Sequence, residues 1–115
     1  MIKEIIVNEV FEIELELYYS NTVEDLIEHM TIEEEDFASN SSVSSFVNYD
    51  NENHHIRLFL YSKEPDVISH EASHIAMITM KESWIPISYE NDEVFAYLIS
   101  FYVRKIYKVI NKKWA

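Results

Sequence analysis

Residues 67–80 read V-I-S-H-E-A-S-H-I-A-M-I-T-M, and the pattern His-Glu-x-x-His at His70, Glu71 and His74 predicts both an element and a chemistry. On an α-helix, residues four apart stand one above the other on the same face, so His70 and His74 present two imidazole nitrogens to one point. Two imidazoles so placed are half of a tetrahedral zinc site. Glu71 is turned one position round the helix, beside that point, where a carboxylate can take a proton from an attacking water. The neighbours support the helix. Ile68, Ala72, Ile75, Ala76 and Thr79 form a broad, mostly apolar back, and Val67 and Ile78 extend it towards Glu71. His70, His74 and Met77 occupy the opposite arc, which leaves Ser69, Ser73 and Met80 for the remaining side. The competing reading is a pair of histidines on a core helix that only hydrogen-bond to their neighbours.

A second periodic segment covers 91–110, N-D-E-V-F-A-Y-L-I-S-F-Y-V-R-K-I-Y-K-V-I. Phe95, Leu98, Ile99, Tyr102, Ile106, Val109 and Ile110 recur at helical spacing and make its core stripe. Glu93 sits in the first turn, off that stripe, with Tyr97 and Arg104 roughly on its line. A helix folding back antiparallel over a short connection could carry Glu93 to the two histidines as a third metal ligand. Alternatively Glu93 only complements the helix dipole behind Asn91 as N-cap, and Glu90 is the rival ligand.

At these two stretches, H-E-A-S-H-I-A at 70–76 and N-D-E-V-F-A-Y at 91–97, the sequence resembles the gluzincin class of zinc metallopeptidases. In that class a His-Glu-x-x-His helix is followed by a second helix that donates a glutamate. The stretches look most like the very small metallopeptidases encoded by phages and prophages, and more distantly like the peptidase domain of regulatory proteases that cut repressors. The resemblance covers 54–105. It implies a minimal zincin-like domain over 1–115, a peptide or protein substrate, and a strand before the active-site helix that borders the cleft and pairs with extended substrate. A metzincin would carry a glycine and a third histidine where this chain has Met77 and Met80, so that class is excluded. The extra transition-state donor usual in gluzincins has no unambiguous counterpart.

Composition narrows the alternatives. The chain has 115 residues, 48% of them hydrophobic, which suits one domain with its own core. Nine basic residues against 21 acidic ones give a formal charge of −12, which disfavours nucleic acid and anionic membranes as partners and favours basic ones. There is no cysteine, so neither thiolate ligands nor disulfides are available. Together with the lack of an apolar N-terminal leader, this predicts a cytoplasmic protein. No apolar run approaches the roughly 20 residues that span a bilayer. There is also no glycine, so no glycine-rich phosphate loop exists, and left-handed turn positions are expected to fall to Asn and Asp.

Along the chain, Phe11, Ile13, Leu15, Leu17 and Tyr19 alternate with Glu12, Glu14, Glu16 and Tyr18, a half-buried strand with a solvated acidic face. Val23, Leu26, Ile27 and Met30 form a short amphipathic helix capped by Asn21 or Thr22, and His29 reads as a surface residue. Residues 31–45 suggest a helical turn running out into a Ser/Asn-rich loop. Strands at 44–49 and 54–62 are joined at Asp50-Asn51-Glu52-Asn53, where Asn and Asp tolerate a hairpin's positive φ. His54 and His55, adjacent on a strand, would point to opposite faces and are poor ligands. Asp66 can cap the motif helix, while Lys105, Lys108, Lys112 and Lys113 suit the C-terminal end of the last one. The expected class is α+β: a small antiparallel sheet covering one side of a pair of long helices.

The leading expectation is a zinc-dependent hydrolase, most simply a peptidase, with His70, His74 and Glu93 holding Zn²⁺ and a fourth position open. Glu71 is then the general base, and Tyr97 the donor to the developing oxyanion or to a ligand, with Tyr89 and His55 as substitutes. The alternative is a small acidic, phage-type binding or inhibitor protein that keeps a structural or vestigial zinc site.

Overall fold

The computed structural model describes residues 1–35 and 45–111. The Ser/Asn-rich tract over 36–44, where a loop was expected, and Lys112 and Lys113 lie outside the described residues. The elements are β1 (Ile2–Asn8), β2 (Ile13–Tyr19), α1 (Val23–Ile27), β3 (Ser45–Asp50), β4 (His55–Leu60), α2 (Pro65–Glu82), a 3₁₀ turn (Tyr89–Asn91) and α3 (Asp92–Ile110). The class is α+β, as expected. Among the described residues no helix is long and apolar enough to cross a membrane.

The sheet departs from expectation in its pairing. Its four strands run in the order β1-β2-β4-β3. The outer pairs β1–β2 and β3–β4 are antiparallel, whereas β2 and β4 are parallel, with Leu15 opposite Ile56 and Leu17 opposite Leu58. The sheet is therefore mixed, not antiparallel. Period-two alternation reports which residues share a face but not the direction of the neighbouring strand. The N-terminal segment also makes two strands, not one, because the chain reverses between Asn8 and Ile13.

One face of the sheet is the core. Ile6, Ile13, Leu15, Leu17, Ile56, Leu58 and Leu60 pack against Ile68, Ala72, Ile75, Ala76 and Met80 of α2 and against Leu98, Tyr102, Ile106, Val109 and Ile110 of α3. The wheel reading of both helices is reproduced except at Met80, expected on the remaining side of α2 but fully buried in this core, and Phe95 and Ile99 are partly buried at the margin. The other face is covered locally. Tyr18 and Phe59, stacked with ring centroids 4.9 Å apart, are buried under Leu26 of α1 and Met30. This second layer explains why Phe59, on the face opposite Leu58 and Leu60, is fully buried. Residues 32–35 then form a helical turn closed by a capping box: Glu34 Oε2 accepts from Thr31 N (2.6 Å), and Glu34 N donates to Thr31 Oγ1.

The expected caps are only partly realised. Thr22 and Asn91 occupy N-cap positions without a side-chain cap bond. Pro65 opens α2 behind Glu64, so Asp66 lies in the first turn and complements the dipole there. Among the described residues the left-handed positions also fall elsewhere than on Asn or Asp: positive φ occurs at Glu12 (53°), His54 (50°) and Trp84 (59°). Trp84 terminates α2. Its N–H donates to Lys81 O (3.2 Å) and the Ile85 N–H to Met80 O (2.9 Å), the bond pair of a Schellman ending whose left-handed residue is normally glycine. With no glycine in the chain, a tryptophan stands there, 92% exposed.

The two long helices are antiparallel. Glu82, at the end of α2, lies against the β3–β4 turn, 3.9 Å from His54 Nδ1. Burial, followed by the neighbouring Glu82 and Asp50 carboxylates, pushes the Tyr49 phenol there up to about 12. The last residue of α3, Ile110, instead shares a cavity with Ile2, Tyr19 and Lys63 at the opposite end of the sheet, where α2 begins. One buried chain of hydrogen bonds ties the layers. Asn8 Nδ2 donates to the Tyr102 hydroxyl (3.4 Å), which donates to Thr79 Oγ1 (2.9 Å), which donates to the Ile75 carbonyl (2.9 Å).

Two outcomes are expected. Trp84→Gly relieves a left-handed side-chain conflict of about 1–2 kcal/mol, less the greater freedom of an unfolded glycine, and so stabilises the chain by about 1 kcal/mol in urea denaturation. Tyr102→Phe leaves Asn8 and Thr79 without their shared partner and destabilises by about 1–3 kcal/mol in the same measurement.

Candidate functional site

Helix α2 divides cleanly into a buried and an open face. Ile68, Ala72, Ile75, Ala76, Thr79 and Met80 are buried, while Ser69, His70, His74 and Met77 are exposed. His70 and His74 therefore project from the solvent side of the helix, and the His70 side chain is 67% exposed. Their Nε2 atoms are 3.1 Å apart, with the rings nearly perpendicular at 78°. One Nε2–H can donate to the other Nε2, which is the hydrogen-bonded reading of the pair. The same spacing is close to the edge of a zinc tetrahedron, about 3.3 Å for Zn–N bonds of roughly 2.0–2.1 Å. Glu71 stands at the boundary of the two faces. It is buried, and its Oε1 lies 3.8 Å from His70 Nε2.

The other expected site residues do not gather here. Glu93 and Glu90 are exposed, in the first turn of α3 and in the 3₁₀ turn before it. Because the helices run antiparallel and meet where Tyr102 touches Thr79, Glu93 lies on the connection side of that contact and the histidines on the other. Among the described residues no group of three or more His, Cys, Asp or Glu side chains converges closely enough to hold a metal ion. Tyr97 is half exposed, its ring 6.4 Å from that of Phe101, and Tyr89 is almost fully exposed.

His55 is removed from the candidates by the sheet. It sits on the face opposite α2, with Nε2 2.9 Å from Glu16 Oε2 and Nδ1 3.6 Å from Glu14 Oε2. The parallel register sets Glu14 beside His55 and Glu16 beside Arg57, so part of the acidic row expected to be merely solvated lies against the His55 imidazole. No local pattern signals this, because the partners are 39 or more residues apart. His54 lies in the turn, not on the strand. The expectation that the strand before α2 receives extended substrate is likewise corrected. β4 is flanked by β2 and β3, so both its edges are already hydrogen-bonded, and the outer strands of the described sheet are β1 and β3.

No protein-family model matches this chain, and no curated protein or solved structure matches it either. The site is thus defined by its own geometry: two imidazoles with Nε2 atoms 3.1 Å apart, one adjacent buried carboxylate, and an open approach from solvent.

Purified chain titrated with Zn²⁺ is expected to bind about one ion, and His70→Ala or His74→Ala to weaken that binding at least about 10-fold, the lower end for losing support at a metal site. Isothermal titration calorimetry reads both. Affinity unchanged in both variants would leave the imidazole pair as a hydrogen bond only.

Proposed function

We propose that the chain is a zinc-dependent hydrolase acting on peptides or proteins, with His70 and His74 as metal ligands and Glu71 as general base. The observation that carries this reading is the Nε2–Nε2 spacing of 3.1 Å with a carboxylate beside it. Zinc bound there would supply Lewis acidity to an amide carbonyl and to the attacking water. Glu71 would take the proton of that water, its carboxylate being set off the ligand line and shielded on the helix's buried side. Glu93, the expected third ligand, and Tyr97, the expected oxyanion donor, both lie across the Tyr102–Thr79 contact from the pair, so they would serve this reading only with α3 docked differently on α2. Absence of cysteine suits a reducing compartment such as the cytoplasm.

A second reading is favoured by two specific observations: Glu93 lies across the Tyr102–Thr79 contact from the histidines, and β4 has no free edge for substrate. In it the chain is an acidic binding protein, with basic partners, whose zinc site performs no turnover. Glu71→Gln separates the two. In the hydrolase, with zinc occupancy matched, it keeps metal and fold but lowers cleavage of a mixed peptide library by at least about 10²-fold, the usual loss with a general base. Glu93→Gln then weakens zinc binding as well. A zinc-loaded wild type that cleaves nothing, with affinity untouched by Glu93→Gln, establishes the binding protein, and equal cleavage by wild type and Glu71→Gln removes Glu71 from the mechanism.

A further inference from the structure

The pair β2 and β4 creates a crevice that neither reading above uses. The two strands are parallel and remain joined as far as Ser20, whose N–H donates to Leu60 O (3.1 Å). Beyond that point the chain leaves β2 for α1 on one face of the sheet and leaves β4 for α2 on the other. Divergence of this kind at the carboxyl ends of parallel strands opens a gap that no element among the described residues fills, and ligands in sheet proteins recurrently use such gaps. Here it is a cavity of about 360 Å³, lined by Ile2, Tyr19, Ser20, Asp25, Lys63 and Ile110 among others.

Its polar groups are arranged rather than scattered. Ser20 Oγ donates to Asp25 Oδ2 (2.8 Å) and accepts from Thr22 N–H (3.3 Å), so the serine holds the carboxylate in place. A carboxylate has acceptor sites beyond the one that Ser20 fills. Tyr19 donates its hydroxyl to Asn21 Oδ1 (3.0 Å), which fixes its ring, and the Lys63 ammonium stands 5.5 Å from that ring's centroid. Among the described residues Lys63 makes no ion pair. The crevice thus offers one held anion, one cation resting on an aromatic face, and an apolar wall from Ile2 and Ile110.

Opposite charges in one small cavity recognise a molecule that carries both. With a chain charge of −12, a simple anion is repelled at long range, whereas a zwitterion has no net charge to oppose. The volume lies at the lower end of small-molecule sites, roughly 300–1,000 Å³, which suits a single amino acid better than a nucleotide cofactor. We propose that this crevice binds a free amino acid with an apolar side chain, its ammonium group on Asp25, its carboxylate on Lys63 and its side chain against Ile2 and Ile110.

The test is a titration of the ¹⁵N-labelled full chain with L-leucine, L-methionine and L-phenylalanine, followed by amide chemical shifts. At least one is expected to give saturable shifts centred on Ile2, Ser20, Asp25 and Lys63, with Kd about 1 mM or tighter. N-acetyl-leucine and leucine amide, each lacking one charge, bind at least about 10-fold more weakly, and so does leucine to Asp25→Asn and to Lys63→Met, one decade being about 1.4 kcal/mol. Unchanged shifts away from the crevice show that these surface variants keep the fold. The proposal is overturned if none of the three amino acids gives saturable shifts. It is equally overturned if the acetyl or amide form binds as tightly as leucine, or if both variants bind like the wild type.

Discussion

The arrangement of this molecule turns on one buried hydroxyl. Tyr102 is 1% exposed and bridges Asn8 of β1 to Thr79 of α2 from the middle of α3. A buried phenol without partners would cost several kcal/mol of desolvation, so the three elements are held in the one register that satisfies it. Apolar packing alone tolerates sliding of helix on helix, whereas a directional bond does not. Burial pushes the Tyr102 phenol up, although its bonds to Thr79 and Asn8 pull the other way, which keeps it neutral and able to donate. The register of α3 against α2, and hence the place of Glu93 relative to the histidines, follows from this contact.

The candidate metal site and the core are built on opposite faces of the same helix, and they obey different rules. The placement of His70 and His74 one turn apart on one face is a property of helix geometry, so it exists as soon as residues 65–82 are helical, whatever lies around them. A third ligand is a tertiary property, set by where the next helix starts and how it docks. Glu71 stands between the two regimes: its Cα belongs to the helix while its burial comes from the packed side. This division explains how a strong local motif can be fully formed while the remainder of the expected ligand set is dispersed.

The sheet shows how direction, and not pattern alone, determines what a strand can do. β4 has the alternating residues of an ordinary sheet strand, yet its parallel neighbour β2 and antiparallel neighbour β3 take both edges. The same parallel pairing brings His55 between Glu14 and Glu16 and opens the crevice at Ser20 and Lys63. Lack of glycine leaves another mark. Left-handed positions occur at Glu12, His54 and Trp84, where chain reversal and the helix ending impose them regardless of side-chain preference.

By itself the sequence determined the α+β class, the two long helices and their buried stripes, the hairpin around 50–54 and the imidazole pair. Each depends on contacts between residues a few positions apart or on a periodicity that burial enforces. Tertiary structure alone decided that β2 and β4 run parallel, that Phe59 is covered by a second layer, that His55 faces away from α2, and that Glu93 lies across the Tyr102–Thr79 contact from the histidines. Those features rest on partners far apart in the chain, such as Asn8 and Tyr102, whose meeting is selected by the joint packing of all elements. No local pattern of residues carries that information.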